Sequence, residues 1–220
     1  MSARSTSAES AAADSLFAEP VRASRYGIFF GIAVLGSLLD LISKQLIFAS
    51  YFDKDADHAR LPVWLIEPWL GIQTSTNQGA LFGMGQGWTT LFAVLSVFAF
   101  AVLIYLLFFA RWANDRFITV TFGMIAAGIF GNLYDRLGFW HDADIQSMHR
   151  NAVRDWIYFN WENGPQFMNP WPNFNIADCL LVCGAILLCL HAFFIQPRMD
   201  STEKDSAEKE AAAPKENKNS

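Results

Sequence analysis

The chain has 220 residues, of which 53% are hydrophobic and 15% are aromatic, and its net charge is -5. A composition this apolar, gathered in long blocks, excludes an ordinary soluble domain of this length. The negative net charge leaves no basic surface for a nucleic acid, so no nucleic-acid partner is expected.

Four blocks are long enough to cross a membrane as helices, which takes about 20 mostly apolar residues. They predict spans at about 26–49, 89–110, 117–138 and 174–195. Between the first two, residues 70–87 show partial alternation and glycines, which predicts short strands with turns. The expected fold class is therefore an all-α membrane protein with four transmembrane helices and a small β-rich element that faces outward.

The two ends of the chain differ from its middle in composition. Residues 1–22 are rich in Ser and Ala, and residues 199–220 are rich in Glu, Lys and Ala with almost no bulky side chains. Such segments cannot bury enough apolar surface to fold, so both are expected to be disordered tails. They flank a membrane domain at residues 23–198.

Arginine and lysine set the expected orientation, because they concentrate on the cytoplasmic side of membrane proteins. They precede the first span, fill the turn between the second and third, and follow the fourth: Arg22, Arg25, Arg111, Arg116, Arg198 and Lys204. Both termini should therefore be cytoplasmic. The long connections at 50–88 and 139–173 should face outward and, being rich in Trp, rest on the membrane surface.

Three of the predicted spans carry polar residues that lipid penalises. At about 1.5 Å of rise per residue they lie roughly 22–34 Å from the cytoplasmic arginines, in the outer third of the membrane. They are Asp40, Lys44, Asn132, Asp135, Arg136, Asn175 and Asp178. Three helices thus bring polar groups to one level independently.

Some of these charges also have a purely structural interpretation. Lys44 can extend to the lipid headgroups, and Asp40 can pair with it one helical turn away. Arg136 can pair with Asp135 or with Asp40. Aspartate is too short to reach the headgroups in the same way, so the structural interpretation is weaker for the acids.

The chemistry of the cluster follows from the residue types present. The histidines are scattered, and the three cysteines share one apolar run, where we expect small packing residues: Cys179, Cys183 and Cys189. No metal and no cofactor are therefore expected. Two neighbouring carboxylates share one proton, so one can activate water while the other protonates a carbonyl. This predicts aspartyl peptide hydrolysis, with Asp178 as one member and its partner on another segment.

Five short motifs, in order along the four spans, resemble those of the lipoprotein signal peptidases, the type II signal peptidases of bacteria. They are DLISK at 40–44, NQGALFG at 77–83, GNLYDR at 131–136, VRDWI at 153–157 and FNIADCLLVCG at 174–184. The resemblance covers about residues 26–197. It implies a four-helix aspartyl endopeptidase of the bacterial inner membrane, which removes signal peptides from prolipoproteins by cutting before a diacylglyceryl-modified cysteine.

The resemblance also implies roles for particular residues. Asp155 and Asp178 correspond to the catalytic pair. The positions that shape the site and hold the substrate backbone are Asn77, Gly79, Asn132, Arg136 and Asn175, and those with a supporting role are Asp40, Lys44 and Asp135. The implied partners are lipid-modified prolipoproteins and membrane lipids, with a monomeric enzyme that uses no metal or cofactor and has its active site facing outward.

The sequence departs from the family's pattern in three places. The segment at residues 137–152 is longer than usual, and it brings in Asp142 and Asp144 as rival carboxylates. Arg154 stands where the family more often has an apolar residue, and Trp156 where it has Phe. We prefer Asp155 to its rivals because an apolar run follows it directly, as the motif requires.

Two other functions remain open from the sequence alone. A small transporter or ion pathway would use the same buried charges, but it needs polar residues through the whole membrane. The run between Asp178 and His191 contains only apolar residues and cysteines. A non-catalytic scaffold would use the charges to hold helices together, and it does not explain why they gather at one depth.

Overall fold

The computed structural model describes residues 20–53, 61–79, 84–161, 163–165 and 171–195. The expected tails, residues 1–22 and 199–220, lie outside this part of the chain, apart from residues 20–22. The described residues form four long helices and one four-stranded sheet.

The helices are α1 (Ala23–Tyr51), α2 (Thr89–Ile104), α3 (Arg116–Arg136) and α4 (Ile176–Leu190). A π-helical segment, Tyr105–Phe109, continues α2, and another, His191–Ile195, continues α4. With these extensions all four helices are long and apolar enough to cross a membrane. The four predicted spans are confirmed, and each boundary lies within three residues of the predicted one.

Helix α3 lies at the centre of the bundle, packed against the other three helices. Of its most apolar stretch 61% is buried, against 17% in each of the others. Small residues on α3 permit this close packing. A β-carbon at Gly123 would lie 3.0 Å from Cβ of Ile32 on α1, and one at Gly131 would overlap the carboxylate of Asp40.

The apolar core of the bundle lies between α1, α2 and α3, around the fully buried Phe29 and Leu107. The outer faces of α1, α2 and α4 expose large apolar side chains, as lipid-facing helices do. The cysteines of α4 are free thiols. We expected small packing residues at these positions; Cys179 is half-buried, whereas Cys183 and Cys189 are exposed and not packed inside the bundle.

The sheet is antiparallel, in the order β1 (Val63–Ile66), β2 (Leu70–Asn77), β3 (Val153–Phe159) and β4 (Trp171–Phe174). Short strands with turns were expected within residues 70–87, and of the described residues there Leu70–Asn77 form one strand, β2. Strands β1, β3 and β4 were not predicted. The first three residues of β3 are all buried and show no alternation that would have indicated a strand. Since β4 leads directly into α4, and β3 packs against α1 and α3, the sheet is held at one end of the bundle.

Candidate active site

The first turn of α4 fixes the position of Asp178. Asn175 is the N-cap residue, and its Oδ1 accepts a hydrogen bond of 2.9 Å from the backbone N–H of Asp178. In return, Oδ2 of Asp178 accepts one of 3.2 Å from the backbone N–H of Asn175. This reciprocal capping box uses otherwise unpaired helix donors. It therefore holds a half-buried carboxylate at the helix end that favours negative charge.

Strand β3 brings Asp155 to the same place. Asp155 lies opposite Ser75 of β2, and only 3% of it is exposed. Its Oδ1 accepts a hydrogen bond of 2.7 Å from Nδ2 of Asn175. Burial raises the pKa of the Asp155 carboxyl well above its usual range, and the nearby charge of Asp178 raises it further. A group in this state holds a proton at pH values where an ordinary aspartate has lost it.

Asn132, on α3, connects Asp178 on α4 to Lys44 on α1. Its Nδ2 donates a hydrogen bond of 2.8 Å to Oδ1 of Asp178. Its Oδ1 accepts one of 3.2 Å from Asn175 and another of 3.1 Å from Nζ of Lys44. The amide thus contacts α1 and α4 at once, and it fixes the orientation of the Asp178 carboxylate.

A buried charge cluster lies directly beside the aspartates. Nζ of Lys44 is 2.8 Å from Oδ2 of Asp40 and 3.1 Å from Oδ2 of Asp135, and all three side chains are fully buried. Oδ1 of Asp40 accepts a hydrogen bond of 2.8 Å from the backbone N–H of Ala177, in the first turn of α4. The ion pair expected between Asp40 and Lys44 is therefore present, and the interpretation of Lys44 as a headgroup contact was wrong.

The partner of Asp135 differs from the one expected. Arg154 forms an ion pair of 2.8 Å with it, whereas Arg136 donates instead to the backbone carbonyl of Gly79, at 3.4 Å. Arg136 also lies within electrostatic range of Asp155 and Asp178. Arg154 takes the place considered for Arg136 because it reaches the Asp135 carboxylate from β3, whereas Arg136 extends from the end of α3 toward Gly79.

The remaining motif residues lie at the rim of this cluster. Oδ1 of Asn77 accepts hydrogen bonds from the backbone N–H of Gly79, at 2.9 Å, and from Nε2 of Gln86, at 3.1 Å. Arg136 donates to the Gly79 carbonyl of this turn and lies within electrostatic range of both aspartates. All ten residues that the motifs single out therefore belong to one connected region. The rest of the NQGALFG motif, residues 80–83, lies outside the described part of the chain.

The rival carboxylates are not part of this region. Asp142 and Asp144 are both exposed, on the segment at residues 137–152. Within the described residues, no three His, Cys, Asp or Glu side chains gather in a way that could hold a metal ion. The site can thus offer two adjacent carboxyl groups, one buried and one half-buried, with amide donors that orient them.

Sequence reasoning missed Arg154 and Trp140 as parts of the site. The one signal for Arg154 in the sequence was that a charged residue stands where the family more often has an apolar one. Its guanidinium lies 5.3 Å from the ring of Trp140. No sequence spacing indicates this contact, because Trp140 lies on a segment without regular structure.

Four spanning helices with one buried and one half-buried carboxyl group together at one end are the arrangement of a multi-pass membrane protein of the aspartic peptidase class. Comparison with known proteins identifies the family, since the model of "Signal peptidase (SPase) II" matches residues 32–194. The chain belongs to the signal peptidase II family, whose members are aspartic-type peptidases.

Individual relatives and solved structures agree with this assignment. The chain is 46% identical over 171 residues to a lipoprotein signal peptidase of Rhodopirellula baltica, covering 78% of this chain and 74% of that protein. It is 31% identical to one of Streptomyces coelicolor, covering 77% and 72%. A solved structure described as a bacterial membrane enzyme has a TM-score of 0.57 and 25% identity, covering 88% of this chain and 94% of its own.

Proposed function

We propose that this protein removes signal peptides from bacterial lipoprotein precursors, with Asp155 and Asp178 as the pair that hydrolyses the peptide bond. The observation that carries the proposal is the shared contact with Asn175, which bonds to both aspartates from one side chain and one backbone N–H. The relatives named lipoprotein signal peptidase support the choice of substrate.

The two aspartates have environments suited to different roles. The raised pKa of Asp155 favours its protonated form, which can donate its proton to the oxygen of the scissile carbonyl. Asp178 accepts hydrogen bonds from Asn132 and from the backbone of Asn175, and these stabilise a carboxylate. In the proposed mechanism Asp178 takes a proton from water, whose oxygen bonds to the carbonyl carbon as Asp155 protonates the carbonyl oxygen. The tetrahedral diol then collapses: Asp155 takes a proton back from one hydroxyl group, the C–N bond breaks, and Asp178 gives its proton to the leaving nitrogen. The residues of the pair thereby exchange the roles of acid and base.

The position of the site suits a substrate that is anchored in lipid. The pair lies where α4 begins and α3 ends, at the end of the bundle opposite Arg111 and Arg116. The positive-inside rule favours a cytoplasmic location for those arginines and for both termini, so the site would face outward. The lipid chains of the precursor would hold its cysteine at this level, with the protein acting as a monomer among membrane lipids.

The rival function, a transporter or ion pathway, has less support. At the other end of the bundle His191 and Asp115 form a partly buried contact of 2.7 Å. Between that contact and the aspartates, α3 buries mainly Phe122, Ala126 and Ala127. A pathway for ions would need polar groups along this stretch. In the described residues the buried polar groups on α3 in between are Thr119 and Thr121, near the far end.

A direct test of the function uses two forms of one precursor. The purified protein is incubated in detergent with a precursor that carries diacylglyceryl on its cysteine, and with the same precursor lacking the lipid. We expect cleavage of the first, with mass spectrometry locating the cut immediately before the modified cysteine. A protein that leaves the lipidated precursor intact, or that cuts elsewhere, would contradict the proposal.

A further inference from the structure

Arg154 is a buried charge placed directly before Asp155 in β3. Only 2% of it is exposed, and three of its N–H groups donate to one carboxylate. Its Nε and Nη2 lie 3.0 Å and 2.8 Å from Oδ1 of Asp135, and its backbone N lies 3.0 Å from Oδ2. Planar guanidinium groups suit such multiple contacts, which fix direction as well as distance. These contacts connect β3, at the residue immediately before Asp155, to Asp135 in the last turn of α3.

The segment at residues 137–152 covers the other face of Arg154. The guanidinium lies 5.3 Å from the ring centre of Trp140 and 5.9 Å from that of Phe48 on α1. Nε1 of Trp140 donates a hydrogen bond of 3.1 Å to the carbonyl of Ala152, which orients the indole. The contact is a cation–π interaction made by an almost fully buried guanidinium, and such interactions are stronger than exposed ones.

The same segment is also attached to the turn that holds Asn77 and Gly79. Nε2 of Gln78 donates hydrogen bonds of 2.7 Å to the carbonyl of Ser147 and 2.9 Å to that of Arg150. The segment therefore contacts both the strand that carries Asp155 and the turn at the rim of the site.

Arg154 also balances the charge beside the aspartates. The buried cluster contains two acids, Asp40 and Asp135, and Lys44 supplies one positive charge. Arg154 supplies the second, so the four charges sum to zero. The charged groups that act on Asp155 from the surrounding helices are Lys44 on α1, Asp135 and Arg136 on α3, and Asp178 on α4. Without Arg154, the negative charge of Asp135 near Asp155 would be balanced less completely.

We propose that Arg154 is a positioning residue for Asp155, and that the segment at residues 137–152 serves to enclose it through Trp140. Three hydrogen bonds to Asp135 fix the backbone at residue 154, and strand alternation directs the next side chain to the opposite face. Asp155 is thereby held toward Asn175 and Asp178. The inference rests on the proposed function, since the position of Asp155 matters only if it takes part in hydrolysis.

The test measures cleavage of a lipidated precursor by the full-length protein across a range of pH. Arg154→Gln should lower kcat by about tenfold or more with KM changed by less than about threefold, because a misplaced carboxyl affects the reaction more than binding. The pH profile should also move to higher pH, since removing a positive charge makes Asp155 harder to ionise. Arg154→Lys should recover part of kcat and most of the pH profile, because it keeps the charge and loses the planar contacts.

Trp140→Ala tests the enclosing segment, and Phe139→Ala is its matched control. Phe139 is the adjacent aromatic residue and is 64% exposed. Trp140→Ala should lower kcat by about threefold or more, since Arg154 loses its cover, whereas Phe139→Ala should cleave like the wild type. The unfolding temperature of each variant in detergent shows whether a loss of kcat merely follows a loss of stability.

Particular results would overturn the inference. An Arg154→Gln variant with the kcat and the pH profile of the wild type would overturn it. It would also be overturned if Arg154→Gln lowered kcat without moving the pH profile and Arg154→Lys recovered none of that kcat. If Arg154→Gln fails to fold, Trp140→Ala decides. If Trp140→Ala has a lower kcat than Phe139→Ala at the same unfolding temperature, the inference is supported. If the two variants have equal kcat, it is overturned. Failure of the wild-type protein to cleave would instead overturn the proposed function, and this inference with it.

Discussion

Nδ2 of Asn175 donates a hydrogen bond of 2.7 Å to Oδ1 of Asp155. The same residue caps α4 and exchanges two further hydrogen bonds with Asp178. One asparagine thus sets the position of a carboxyl from the sheet relative to a carboxyl from a helix. Its side chain is fully buried, so these contacts are shielded from water.

Replacing Asn175 should therefore affect stability and cleavage by different amounts. Asn175→Ala should cost about 1 kcal/mol of unfolding free energy through the lost cap. It should lower the cleavage rate at least about tenfold, because both carboxyl groups lose the donor that orients them. Initial rates with a lipidated precursor and thermal unfolding in detergent measure the two effects.

Asn173→Ala is the matched control for that prediction. Asn173 lies two residues earlier, in β4, and donates a hydrogen bond of 2.8 Å to the carbonyl of Gln73 rather than to the aspartates. It should lose some stability and retain most activity. Equal losses of activity in the two variants would mean that Asn175 has no special relationship with the pair.

The raised pKa of Asp155 predicts a pH-dependent effect on stability. Between the ordinary aspartate pKa of about 3.9 and the raised folded value, the folded state holds a proton that the unfolded state has lost. The unfolding free energy of the wild type should therefore fall as pH rises through this window. The unfolding free energy of Asp155→Asn should not show this decrease, because its asparagine does not titrate.

Asp155→Asn should consequently gain stability relative to the wild type as pH rises from about 4 to 7. Unfolding temperatures of both proteins, measured across this range in detergent, give the comparison. Asp142→Asn serves as the control, because Asp142 is exposed and its substitution should leave the pH dependence unchanged. A constant difference between Asp155→Asn and the wild type at all pH values would argue against a raised pKa.

The close contact of α3 with its neighbours predicts sharp sensitivity at Gly131. A β-carbon there would overlap the Asp40 carboxylate and lie 3.0 Å from Cβ of Ala177. Gly131→Ala should therefore displace α1 or α4, and we expect a loss of about 1–3 kcal/mol with reduced cleavage. At Gly31, also within a helix, a β-carbon would meet nothing within 4 Å, so Gly31→Ala should be tolerated. Similar unfolding temperatures for the two variants would contradict this packing.

Much of the fold could be predicted from the sequence, because long apolar blocks have few stable arrangements in lipid. The depth of the polar residues correctly predicted that three helices bring them together, as the contacts of Lys44 and Asn132 show. The depth of the polar residues along the spans could not identify the second aspartate. Asp155 lies on a strand whose buried start lacks alternation, so only its resemblance to a motif indicated it.

The partners of individual charges could not be predicted. Asp135 and Arg136 are adjacent in sequence, but neighbouring helical positions point in different directions. Asp135 pairs with Arg154, which is distant in sequence and lies beyond a segment with no regular structure. Charge balance in a buried cluster depends on all of its members at once, and spacing within one helix does not reveal the others.

Cleavage by two aspartate variants tests whether Asp155 and Asp178 are the hydrolytic pair. Asp155→Asn and Asp178→Asn, purified as folded membrane proteins, are incubated with a lipidated precursor beside the wild type and Asp142→Asn. We expect the wild type and Asp142→Asn to release the signal peptide, and Asp155→Asn and Asp178→Asn to yield no measurable product. Near-normal release by Asp155→Asn or by Asp178→Asn would contradict the assignment of these residues as the hydrolytic pair.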